Sequence, residues 1–401
     1  MKINVKTGND NGNSSQKISF NGEVYELPNV YVRTNQVPKG IVELSPNTII
    51  KDLFNNLFVT IKSDSLEAKC PQSYYVGSYT AKSGRIIQNM SIGQRGNKLD
   101  NELPIITTLA NTAAYAVTKA YEKEQDVEKL CKKPISVNMD MATALPNTQF
   151  NKNNATTFRD NFLGEHVVTV YIGEYEAEVH ISIDYVKVMP EGVPTAFYLL
   201  SNNTPDFFKQ YNFGDKPILH VSIGDGTTDY PITEDVNFIP DFTQSSHNGI
   251  GIATEKIIDE FAERTLLSKC SRQDISDIIR NKNHRSHGIA MDLLEPHLEE
   301  EAQAIKKHTF QQLQRINNNV DFIVVYGGGS ILLEPYLKKE FLKDRLIKSD
   351  KNPNGIELVY VPADIATTIE AHGLYIFTQQ PFFKELAAKF KANNNKEKQV
   401  S

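Results

Sequence analysis

The chain opens on short runs in which apolar and polar residues alternate. Ile3 to Gly8, Lys17 to Phe20 and Glu23 to Leu27 each match a strand with one buried face, and the polar clusters Asn9–Ser15 and Asn21-Gly22 between them carry turn chemistry. An antiparallel meander is predicted. From Leu103 to Leu130 apolar residues recur at helical spacing, and two β-rich pieces follow, Ile135–Ala144 and the long alternating run Val167–Met189. From Pro190 the order repeats. A helix over Glu191–Leu200 precedes a strand pair split by a tight turn (Ile218–Ile232), then helices over Ile250–Leu267 and Gly288–Ile316. Val320–Phe341 reads as a buried strand, a glycine-rich turn and a helix. The pattern predicts two similar α/β lobes in series.

Length agrees, because 401 residues exceed what one hydrophobic core holds, so two lobes with a cleft between them are expected. The net charge of −6 argues against a surface that coats nucleic acid, which needs clustered Lys and Arg; any DNA contact is expected to be indirect. Cys70, Cys131 and Cys270 lie far apart with no CxxC pair, the pattern of free thiols in a reducing cytoplasm rather than of disulfides or zinc. The first residues carry no apolar targeting core, and no run approaches the roughly 18 apolar residues that span a bilayer. Neither secretion nor membrane insertion is expected. Pro381–Phe390 reads as a short amphipathic helix packed on its own domain, with membrane docking as the other reading, and the polar tail from Ala392 as a solvated end.

Three turns carry candidate chemistry. In Asp10-Asn11-Gly12-Asn13-Ser14, with Lys17 beyond, Gly12 lets backbone approach a phosphate, Asn11, Asn13 and Ser14 offer donors, Lys17 neutralises charge and Asp10 suits a hydrated Mg²⁺. Taken alone, such a turn between strands is usually just a hairpin. Gly224-Asp225-Gly226-Thr227-Thr228-Asp229 suits a second phosphate clamp, with Thr227 and Thr228 donating and Asp225 facing the metal; it lacks the acidic residues of a calcium loop of the EF-hand kind. Gly327-Gly328-Gly329-Ser330, between an apolar strand and a helix, lets a flat base or ribose lie on the backbone, or is a structural turn. It is neither a P-loop nor a dinucleotide fingerprint.

The order of phosphate loop, connecting helix, phosphate loop and nucleoside turn resembles the actin, sugar-kinase and heat-shock-chaperone superfamily, and within it the ParM-like plasmid-segregation actins. Beside the three turns, the resemblance rests on Pro28-Asn29-Val30-Tyr31, on Leu145-Pro146 leading to Phe158 and Gly164, on Val188-Met189-Pro190-Glu191, and on Ile369-Glu370-Ala371-His372-Gly373-Leu374. It implies an actin-like α/β fold, with two ribonuclease H-like lobes around a nucleotide cleft. Residues 1–190 would form lobe I, with a subdomain inserted at about 32–100 and residues 370–401 returning to it; residues 191–369 would form lobe II. It implies ATP or GTP with Mg²⁺ as ligands and Glu191 as the carboxylate that orients the attacking water. It further implies assembly of the chain with itself into dynamic filaments, and a small DNA-binding adaptor on a plasmid centromere as partner. A shape or division actin and a small-molecule kinase of the superfamily are the alternatives. A heat-shock chaperone would need a peptide-binding domain after Leu374, for which little chain follows. One departure stands out: Ser222 occupies a position where the family usually has Asp, so the acidic contact is expected from Asp225 through water or from Asp10.

Overall fold

The computed structural model describes residues 1–81, 86–90, 98–202 and 204–400, folded around two sheets. The opening meander forms as its alternation predicts: β1 (Lys2–Asn11), β2 (Ser15–Phe20) and β3 (Glu23–Pro28) pair antiparallel in sequence order. After them come β4 (Val30–Arg33), β5 (Leu57–Ser63), β6 (Gln72–Val76), β7 (Gln88–Asn89), β8 (Ile135–Leu145), β9 (Gly164–Ile172) and β10 (Tyr175–Pro190). The first sheet runs β3-β2-β1-β8-β10-β9-β5-β6-β4-β7, with β1, β8 and β10 mutually parallel at its centre.

Parallel central strands need cover on both faces. Val137, Met139 and Met141 of β8 pack in the cluster that holds helix Leu103–Glu124, whereas Ala142, pointing to the other face, packs with Leu374 and Phe377 of helix Ile369–Gln379. The first of these helices is buried at every position from Leu103 to Val117, which its near-continuous small and apolar sequence permits. Its threonines are satisfied internally: Thr107, Thr108 and Thr112 donate to the carbonyls of Leu103, Pro104 and Thr108. The helical run expected through Leu130 is broken, because Gln125 adopts a left-handed φ of 48° and Asp126 caps a separate short helix, Val127–Cys131.

The second sheet is built from β11 (Pro217–Ile223), β12 (Thr228–Tyr230), β13 (Ile232–Glu234), β14 (Asn237–Phe238), β15 (Gln244–Ser246), β16 (Phe322–Tyr326) and β17 (Glu357–Tyr360). β11 pairs antiparallel with β12 and β13 on one edge and parallel with β16 on the other, and β16 pairs parallel with β17. That repeats the β2-β1-β8-β10 order of the first sheet, over a separate apolar cluster.

Two connections join the lobes. β10 runs through Glu191-Gly192 into helix Val193–Leu199, and helix Ile369–Gln379 returns to pack on β1. The last helix, Pro381–Val400, seats Phe383 and Ala387 beside Tyr185, and Lys391 pairs with Asp140 and Asp184. The tail from Ala392, expected as a solvated end, continues this helix. No helix among the described residues is long and apolar enough to cross a membrane.

Candidate functional site

Each lobe offers its first hairpin to the space between them. Asp10 pairs with Lys17 and Asn11 with Gln16 across β1 and β2, leaving Gly12, Asn13 and Ser14 as the turn. Ser222 pairs with Asp229 across β11 and β12, and the turn between is closed by the Gly224 N–H donating to the Thr227 carbonyl at 2.8 Å. The third turn lies on the end of β11. A Cβ on Gly327, where φ is 94°, would sit 2.4 Å from the Ile223 carbonyl oxygen, and one on Gly329 2.4 Å from the Ile223 side chain, so only glycine lets β16 turn into its helix so close to the second hairpin.

The three turns line one interlobe cavity of about 600 Å³, together with Asp10, Lys17, Asp225, Thr227 and Glu191. Three of the expected side chains are not brought to it. Successive strand residues point to opposite faces, so Asp10 at the cavity sends Asn11 into the core, where its Oδ1 accepts from Gln16 at 3.1 Å. Thr228 is buried between Thr227 and Asp229 and donates its hydroxyl to the Asn248 carbonyl, while the Ser330 hydroxyl closes its own turn on the Gly327 carbonyl at 2.7 Å. Asp225 lines the cavity but is paired with Arg272 at 3.1 Å.

Glu191 lies at the exit of β10, its N–H bonded to the Leu145 carbonyl at 2.8 Å. Its carboxylate pairs at 2.6 Å with Lys98, only 3% exposed. Lys98 carried no signal in the sequence: it stands outside any periodic run, and only the fold delivers it. Asn147 donates at 3.2 Å both to the Glu191 carbonyl and to Asp229, which also accepts from Ser245 and, at 3.3 Å, from Thr227. Glu370, from the returning helix, accepts at 3.1 Å from Ser222. Asp229 and Glu370 were legible as acids near the motifs, yet nothing in the sequence turned them inward.

The cavity is therefore rich in buried carboxylates. Burial raises the Glu191 carboxyl, with Lys98 pulling it back and Asp229 and Asp10 adding to the rise. Asp229 is pushed up by burial against its bonds from Ser245 and Asn147. Glu370 lies well above the usual carboxylate range because it is buried, with Asp10 and Glu191 reinforcing the effect. Burial opposes the charge of Lys98, but the carboxylates of Glu191 and Asp10 outweigh it and raise the ammonium.

A stability prediction follows for Glu370. Its folded carboxyl titrates above its unfolded value of about 4.3, so its contribution is fully present below that pH and is lost as pH rises through the folded value. Glu370→Gln should therefore raise the thermal midpoint at pH 8, and the gap should close toward pH 4.5. A midpoint gap that does not change with pH would remove this account.

Residues 220–339 match the family described as archaeal actin homologue MreB-like, C-terminal. No curated protein matches the chain. Solved structures do: Bacillus thuringiensis ParM with ADP is 18% identical, with a TM-score of 0.60 over 93% of this chain and 98% of that one. The actin-like protein Alp7A is 17% identical, with a TM-score of 0.68 over 98% and 100%. Ta0583, an archaeal actin homolog, is 16% identical, with a TM-score of 0.62 over 94% and 99%. Over nearly its whole length the chain therefore has the two-lobe actin-like fold of these structures, and within its second lobe residues 220–339 are similar to the archaeal actin homologue family.

Proposed function

We propose that this chain is an ATP or GTP phosphohydrolase whose subunits assemble into nucleotide-dependent filaments, serving plasmid segregation through a small DNA-binding adaptor. The observation that carries the reading is the pair of glycine turns, one from each lobe, facing a single cavity whose other side chains include Glu191 and Lys17. Backbone N–H groups of Gly12–Ser14 and Gly224–Thr227 hold phosphates from both sides, Lys17 takes up their charge, and Gly327–Gly329 gives a base or ribose close approach. Thr227 is the side-chain donor at the second turn; the placement of Asn11, Thr228 and Ser330 leaves them as supports of the turns. Bacillus thuringiensis ParM has been solved with ADP and with ATP, which supports a nucleotide here.

Glu191 orients the attacking water, and Lys98 holds its carboxylate in place. Asp10, Asp229 and Glu370 offer hard oxygen ligands, and the partnerless buried Oε2 of Glu370 is what a hard cation such as Mg²⁺ would satisfy. When bound, that ion would supply charge neutralisation to the transferring phosphate. At the cavity mouth Glu26 of β3 is bonded from the other lobe by Arg280 at 3.2 Å and Thr367 at 2.9 Å. A ligand held by both lobes favours a closed form in proportion to its differential affinity, and a closed subunit assembles head to tail. The acidic net charge fits a division of labour in which a cytoplasmic adaptor, not this chain, touches DNA.

Right-angle light scattering on adding Mg-ATP or Mg-GTP, with phosphate release followed in parallel, tests the reading. Scattering should rise with nucleotide and decay as phosphate appears. Phosphate release without scattering would overturn the filament assignment, and nucleotide turnover that appears only when a small-molecule acceptor is added would favour a kinase.

A further inference from the structure

Two carboxylates of the cavity carry an oxygen without a hydrogen bond, and while Asp225 is ion-paired to Arg272 at 3.1 Å, Glu370 has no such cation among the described residues. Glu370 is 7% exposed; one of its oxygens accepts from the Ser222 hydroxyl at 3.1 Å and the Gly192 N–H acts on the carboxylate, but Oε2 is buried with no partner in hydrogen-bond geometry. A buried carboxylate oxygen left unpaired is costly, so natural structures rarely keep one without a reason. The acids Asp10 and Glu191 repel its charge, and the buried ammonium of Lys98, on which Glu370 also acts, forms its ion pair with Glu191 at 2.6 Å. Asp10 has only a long contact to Lys17, at 3.9 Å. Among the described residues, Asp10 and Glu370 thus line one cavity with no ion pair closer than the 3.9 Å contact of Lys17 to Asp10.

We infer that Glu370 is a ligand, directly or through one water, of the divalent cation that accompanies the nucleotide phosphates, opposite Asp10 and aimed by the Ser222 hydroxyl. Ser222 ends the core of β11, next to the second phosphate turn, and by donating to Oε1 it fixes the carboxylate with Oε2 unspent. Among the described residues no three His, Cys, Asp or Glu side chains converge as a metal cage. Mg²⁺ does not require such a cage, because it keeps several waters and takes one or two carboxylates together with substrate phosphates. Glu370 also sits on the connection that returns from lobe II to lobe I, so a cation held by Glu370 and Asp10 ties the returning helix to the first phosphate turn.

The inference rests on the nucleotide-binding reading, and the experiment separates the two. Binding of a fluorescent ATP analogue and of its GTP counterpart to the full chain is measured in Mg²⁺ and in EDTA, for the parent, Glu370→Gln, Ser222→Ala and the double variant Glu370→Gln with Ser222→Asp. Mn²⁺ binding in the ternary complex is followed by electron paramagnetic resonance. Glu370→Gln should reduce the Mg²⁺-dependent gain in affinity by about tenfold or more, leaving the EDTA affinity equal or higher, and Ser222→Ala should reduce the gain less. Ser222→Asp should restore it in the Glu370→Gln background, because it returns a carboxylate to the same contact. An unchanged Mg²⁺ gain and an unchanged Mn²⁺ signal in Glu370→Gln would overturn the ligand assignment alone. A parent that binds neither nucleotide, with or without Mg²⁺, would overturn the nucleotide reading and this ligand with it. Thermal unfolding of each variant keeps loss of fold apart from loss of the cation.

Discussion

Glu191→Gln should slow phosphate release by about a hundredfold or more, the usual range for loss of a positioned catalytic base, while nucleotide binding and assembly persist and filaments outlive those of the parent. Gln keeps the shape of the side chain and loses its charge, so the change isolates the carboxylate. It also leaves Lys98, 3% exposed, facing an amide in place of a carboxylate. A buried ammonium deprived of its partner is expensive, so a loss of activity in the single variant does not by itself separate lost chemistry from disturbed packing. The double variant Lys98→Met with Glu191→Gln settles which effect wins. If the orphaned ammonium were the cause, removing it would restore phosphate release; if Glu191 orients water, release stays low although thermal stability recovers. Phosphate release by Glu191→Gln at the parent rate would end the assignment. Lys98→Met alone should act in the same direction, since it leaves the Glu191 carboxylate beside Asp229 and Asp10 without a counter-charge and drives it to the protonated form, which cannot accept a proton from water.

What could be read from the sequence divides along physical lines. The hairpins β1–β2 and β11–β12 were legible because their signals are local: alternation, a glycine, and polar turn residues between apolar runs. The repeat of the sheet order was only partly so, as β13, β14 and β15 are two or three residues long and carry no period of their own. Within the turns, side chains were assigned to the ligand by proximity in sequence, whereas strand pleating sends alternate ones into the core, which is why Asn11 and Thr228 support the turns and Asp229 faces the cavity. Lys98 could not be found at all, since its only relation to Glu191 is spatial, across 93 positions of chain. Glu370 in Ile369-Glu370-Ala371-His372 reads as an ordinary acid in the first turn of a helix. Only the crossing of the two interlobe connections turns it inward, against Ser222.

That crossing should be the least tolerant point of the fold, and Gly373→Ala is expected to destabilise the protein by about 3 kcal/mol or more, the upper end of what overpacking costs. A Cβ at Gly373 would lie 1.8 Å from the Pro194 carbonyl oxygen and 2.5 Å from its carbonyl carbon, backbone atoms of helix Val193–Leu199 that have no rotamer to escape into. Helix Ile369–Gln379 cannot simply withdraw. Ala371 and Tyr375 occupy its opposite face, two positions or about 200° away from Gly373 on either side, and their backbone atoms already lie 2.4 Å from where a Cβ on Gly8 of β1 would be. The helix is held between β1 and the other connection, with glycine on each contact. Against this, Ala is the better helix former by about 1 kcal/mol, which lessens the loss without reversing it. The cost also reaches the cavity, because Glu370 lies one turn from Gly373 and Glu191 three residues before Pro194, so a shift at the crossing moves both carboxylates. Thermal unfolding of Gly373→Ala beside the parent is the measurement, with nucleotide affinity as its companion. A lowered midpoint with weakened affinity would mean that the two connections are a fixed bearing on which the lobes are set; an unchanged midpoint would mean that the returning helix slides freely and that the close packing of Gly8 and Gly373 does not constrain the cleft.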